Sequence, residues 1–116
     1  MPKLASVYPI LTGKTEAWKQ FTQEMSGARK NEHAASRKRL GIQLETDYLQ
    51  QTPMGDTAII VTETDKEIPQ LFQALAMSSD PFDVWFREKL KELHGLDVTQ
   101  PPPGPPPEKY FDYSAP

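Results

Sequence analysis

The chain contains no cysteine, which excludes disulfides, thiolate metal sites and cysteine nucleophiles together. Histidine is nearly as scarce. His33 and His94 stand far apart, neither with acidic companions at ligand spacing, so no metal site is expected. A basic excess is also missing: 13 Lys and Arg face 16 Asp and Glu, a net charge of −3, whereas nucleic-acid binders usually carry a basic surplus. No apolar run approaches the roughly 18 residues of a membrane span, and "MPKLASVYPILTGK" is too short in apolar residues for a signal peptide. No glycine-rich phosphate loop, zinc spacing or nucleotide motif occurs. These absences predict a soluble, cytoplasmic protein without a cofactor, a nucleic-acid partner or a membrane.

What is present fits one domain of 116 residues, able to bury about two-thirds of its unfolded surface. Leu4–Leu11 reads as a strand with Pro9 near its end. Thr15 is a plausible N-cap for a helix running to about Leu40, where Gly41 stops it, with a kink at Ser26-Gly27. Ile42–Gln51 is a second strand, "TPMGD" a hairpin loop, and Thr57–Thr64 a third strand whose continuous Ala58-Ile59-Ile60-Val61 suits burial on both faces. The second helix begins between Asp65 and Pro69 and restarts at "SSDPFD", with Asp80 as N-cap and Pro81 first in the helix. Leu96–Val98 is short but strand-like. The order is β-α-β-β-α-β, with the second helix broken in two. The domain spans residues 1–100. Residues 101–116 differ in kind: "PPPGPPP" holds six of the twelve prolines and is extended. Tyr110, Phe111 and Tyr113 behind it are unusual for a free tail, so it is expected to pack on the domain or on a partner protomer.

Two stretches carry the candidate chemistry. In "DPFDVWFREKLKELHG", Phe82, Trp85, Phe86, Leu90 and Leu93 form a helical stripe opposite Arg87, Glu88, Lys89 and Lys91, the pattern of an amphipathic helix. Trp85 has a competing reading as a pocket wall. His94 ends the helix before Gly95, where a cation complements the dipole. In the first helix, continuous 100° spacing puts Arg29 and Glu32 on the face of Trp18, Phe21, Met25 and Leu40, with His33 beside it. Charges there are costly unless paired or exposed to a cavity. Either the kink turns them outward, or they form a structural pair, or Arg29 binds an anionic or carbonyl group while Glu32 or His33 moves a proton. Arg29, Glu32 and His33 are therefore the catalytic candidates; Tyr8, Trp18, Arg29, Trp85 and His94 are the ligand-binding candidates. The basic run around Arg37, Lys38 and Arg39 reads as a solvated face.

"YPILTGKTEAWKQF", "LQQTPMGDTAIIV", "SSDPFDVWFREKLKELHGLD" and "TQPPPGPPP" together resemble an uncharacterised bacterial family of the dimeric α/β-barrel superfamily. The resemblance covers nearly the whole chain, the proline tail included. It implies an α+β, ferredoxin-like protomer with a four-stranded antiparallel sheet that packs on a second copy to close a barrel. Pockets in that superfamily lie between helices and sheet, while catalytic residues differ between its families and none transfers here. The expectation is a homodimer that binds a small, partly apolar molecule. The alternative is a cofactor-independent, monooxygenase- or isomerase-like enzyme acting on a small carbonyl or aromatic compound.

Overall fold

A computed structural model describes residues 3–102 and 104–116. The elements, in chain order, are β1 (Lys3–Pro9), α1 (Thr15–Ser26), α2 (Lys30–Leu40), β2 (Ile42–Thr52), β3 (Gly55–Thr64), α3 (Ile68–Met77) and α4 (Pro81–His94). The fold is α+β, with an antiparallel sheet of three strands ordered β1-β3-β2. The expected fourth strand is absent among the described residues. The reason is local chemistry. Gly95 turns the chain back, so that Leu96 N–H reaches Leu90 O at 3.2 Å. Asp97 then accepts from Thr99 N and Oγ1 at 3.0 and 2.6 Å. An Asx-turn that satisfies its own backbone does not join a ladder. Val98 is nonetheless buried, in a cluster with Leu75 and Leu90.

The expected long first helix is two helices. The Ser26 hydroxyl donates to the carbonyls of Thr22 and Gln23, competing with the helical pattern. At Gly27 a Cβ would lie 2.9 Å from Gln23 O, so only glycine fits this close approach. Three residues are spent on the break, and α2 starts on a new heading. Gly41 ends α2 in the left-handed region, φ 79°, its N–H bonded to the carbonyls of Arg37 and Lys38. Thr15 does not cap α1; its hydroxyl donates to Asp56 Oδ2 at the start of β3 instead.

The second helical region divides into α3 and α4 as expected, with Asp80 accepting from Phe82 N at 2.9 Å and Pro81 opening α4. Arg87 donates to the carbonyls of Leu75 and Ser78 at 2.7 and 2.6 Å, closing the end of α3. Asp83, 1% exposed, accepts from Ser36, Ser78 and Arg39, and so ties α2 and the α3–α4 junction to α4.

Strand alternation sorts the sheet into two unlike faces. Tyr8, Ala58 and Leu49 share one cross-strand row, as do Ser6, Ile60 and Asp47, and Leu4, Thr62 and Glu45. This face meets the core of Ile10, Trp18, Phe21, Met25, Phe82 and Leu93. The opposite face presents the row Val7, Ile59, Tyr48 and the neighbouring Ala5 and Val61. Val7 and Tyr48 remain 54% and 56% exposed there. No helix among the described residues is long and apolar enough to cross a membrane. The tail is exposed and lacks regular structure; Tyr110 and Phe111 are 92% and 85% exposed on this protomer.

Candidate functional site

The alternation of β2 turns Glu45 and Asp47, two charged residues, toward the helices rather than away from them. Beneath the helices lies a cavity of about 100 Å³, walled by apolar side chains of both the sheet and the helices, among them Ile60, Leu71, Phe72 and Phe86. Glu45 and Asp47 both line it, with Ser6, Tyr8, Thr62 and Arg37 as the neighbouring polar groups.

The two carboxylates have different surroundings. Arg37, 7% exposed, donates from Nε to Glu45 at 3.3 Å, donates from Nη1 to Ser36 at 3.2 Å, and stacks on the Phe86 ring at 4.4 Å. His33 Nε2 meets the same Glu45 carboxylate at 3.0 Å. Burial pushes the Glu45 carboxyl up, but the hydrogen bond from His33 and the charges of Arg37 and His33 outweigh it and hold it below its ordinary value. Asp47 has no such partner. Its Oδ1 is wholly buried and finds no donor among the described residues. Burial, reinforced by the Glu45 charge and only partly offset by Arg37 and His33, pushes its carboxyl up to about 7.

Tyr8 and His94 complete the floor. Burial raises the Tyr8 phenol, with the Ser6 hydroxyl opposing and the Glu45 charge adding to it. His94 Nδ1 donates to Pro9 O at 2.9 Å. Burial lowers its pKa against that bond, so at neutral pH it is an uncharged donor rather than the helix-end cation the sequence suggests. The rings of Tyr8, Phe72 and His94 stand together, with Tyr8 6.4 Å from Phe72 and 5.8 Å from His94. All three also line a second, outer cavity of about 440 Å³, whose far wall is Pro102, Gly104 and Pro105–Pro107 of the tail. They form the partition between the two spaces.

The sequence candidates divide accordingly. Tyr8, Trp18 and His94 line the inner cavity, and His33 acts on it through Glu45. Arg29, Glu32 and Trp85 do not line it. Arg29 pairs with Glu24 at 3.5 Å and Glu32 at 3.4 Å, with side chains a third to a half exposed, and its guanidinium lies 4.2 Å from the centre of the Trp85 ring. The break at Gly27 explains this: it turns Arg29 and Glu32 off the stripe of Trp18, Phe21 and Met25, while Ser36 and Leu40 stay inward and Arg37 joins them. Arg37, expected on a solvated basic face, is thus the buried cation of the site. Sequence reasoning passed over Arg37, Glu45 and Asp47. The signal available was in β2, where two acids two residues apart must share a face with an apolar neighbour on β3. Compared with protein-family models, curated proteins and solved structures, the chain matches none.

Proposed function

We propose that the protein binds a small, partly apolar molecule in the cavity between its helices and sheet, with Asp47 as the polar anchor. One observation carries this reading: a buried carboxylate oxygen without a partner faces an apolar cavity. An unsatisfied buried polar group costs about 1–3 kcal/mol, and a functional role is one of the few reasons a fold keeps one. The inner volume of about 100 Å³ is roughly two-thirds of the ~150 Å³ that admits a benzene ring. It suits a body of four or five carbons, and the outer cavity has room for a longer one. The test is an amide NMR titration with isobutanol. Shift changes concentrated on Tyr8, Ile60, Leu71 and Phe86 are the expected result; changes scattered over the surface, or none, refute the reading.

We read the protomer as ferredoxin-like with one strand missing, because β3 lies between β1 and β2, which are parallel to each other in the split β-α-β manner. We also propose a homodimer joined through the Val7–Ile59–Tyr48 face, since a half-exposed apolar sheet face needs a cover. A catalytic reading has its own support. A carboxyl titrating near 7 in an apolar site is suited to general-base work, so Asp47 would take the role that Arg29 and Glu32 cannot fill from the solvent side. Exchange of α-protons from a bound ketone into D₂O, lost in Asp47→Asn, separates this enzyme, acting on a small carbonyl compound, from a binding protein.

A further inference from the structure

We infer that the molecule bound in the inner cavity is a primary amine on a short apolar body, its ammonium seated on Asp47. The inference rests on the reading of that cavity as a binding site and adds the chemical class of its occupant. It follows from which polar groups are already engaged. Arg37 gives its donors to Glu45 and Ser36, His33 turns to Glu45, and the His94 Nδ1–H is held by Pro9 O. Among the described residues, Asp47 alone keeps a buried side-chain oxygen without a donor. An acidic ligand would meet the Glu45 and Asp47 carboxyls, and the lining cation Arg37 is already paired with Glu45, so carboxylic acids and phosphates are disfavoured by repulsion and desolvation.

A neutral alcohol offers Asp47 one donor. An ammonium offers three, and the bond to a carboxylate is charge-assisted. Further acceptors lie in the same lining: Thr62 on the adjacent strand β3, one row along, and Glu45 two residues along β2, with Ser6 and Tyr8 farther off on β1. The Tyr8 and Phe72 rings give the cation an aromatic boundary. The small inner volume favours a primary ammonium over a bulky quaternary one. The missing cation also explains the titration of Asp47 near 7, since burial and Glu45 raise it and no close positive charge lowers it enough.

The experiment compares isobutylamine, isobutanol and isobutyrate, matched in shape and differing in charge, by amide NMR titration of the whole chain. The titratable and charged groups lining the cavity are Glu45 and Asp47 on β2, Arg37 on α2, Tyr8 on β1 and His94 on α4, with His33 of α2 behind Glu45. At pH 7.5 isobutylamine should bind at least about tenfold more tightly than isobutanol, a difference of about 1.4 kcal/mol, and isobutyrate should not compete. Asp47→Asn should abolish the preference. In the unmodified protein the affinity for the amine should rise from pH 6 to pH 8 as the carboxyl ionises, a trend that needs no variant. Isobutanol or isobutyrate binding as tightly as the amine, or an amine preference that survives Asp47→Asn, overturns the inference while the binding site stands. Failure of all three to perturb the cavity residues removes the site itself.

Discussion

Glu45 and Asp47 lie two positions apart on one strand, and their pKa values move in opposite directions. Glu45 is held low by His33 and Arg37, so its contribution to stability is present above its unfolded pKa and is lost as pH falls through the lower folded one. Asp47 is raised from 3.8 to about 7, so the folded state holds a proton that the unfolded chain releases. Stability from this group is complete below about pH 4 and declines as pH rises toward 7. About three units at 1.36 kcal/mol each set a limit on the order of 4 kcal/mol. Asp47→Asn removes this proton uptake. Its unfolding free energy, measured by urea denaturation at several pH values, should gain on the parent protein by up to about 4 kcal/mol between pH 4 and pH 8. Parallel curves would mean that Asp47 is solvated and is not the anchor.

Asp83 holds the helical layer together at the level of elements. It accepts from Ser36 on α2, Ser78 after α3 and Arg39 at the end of α2. Burial raises its pKa, but these bonds outweigh the burial and keep it ionised. Asp83→Ala would strand two hydroxyls and the guanidinium of Arg39, which keeps only Asp80. With Arg39 43% exposed, the cost falls on the two hydroxyls at about 1–3 kcal/mol each, so a loss of about 2–4 kcal/mol in chemical denaturation is expected; a loss below about 1 kcal/mol would make the network incidental. Helix α4 was fully legible in the sequence, because its stripe, N-cap, opening proline and terminal glycine all agree. The strands of the β2–β3 hairpin were legible too. The heading of α2 was not, since Gly27 interrupts the periodicity on which a single-helix projection depends, and with it went the placement of Arg29, Glu32 and Arg37. The pairing of Glu45 with His33 and Arg37 joins a helix to the strand after it, a contact that spacing along either element alone does not encode. Leu96–Val98 had strand-like composition, and the Asp97 turn overrode it.

For the whole molecule, the question is what covers the outer face of the sheet and the aromatic tail. A partner seated on Val7, Tyr48, Ile59 and Val61 would give a dimer, and a stable one needs a total interface above roughly 1,200 Å². Light scattering at micromolar concentration should give twice the 13.1 kDa chain mass; a monomer ends the dimer proposal. Deleting residues 101–116 should lower the melting temperature if Tyr110, Phe111 and Tyr113 rest on the partner, whereas an unchanged melt and mass would make the tail a linker.

That deletion touches one more feature. β1 pairs only with β3 among the described residues, and Pro102, Gly104 and Pro105–Pro107 line the outer cavity opposite Ser6, Val7, Tyr8 and Pro9. An open strand edge invites a further chain to zip onto it. Proline has no amide hydrogen to offer such a ladder. The prolines that face β1 across the outer cavity are thus residues that cannot extend its ladder.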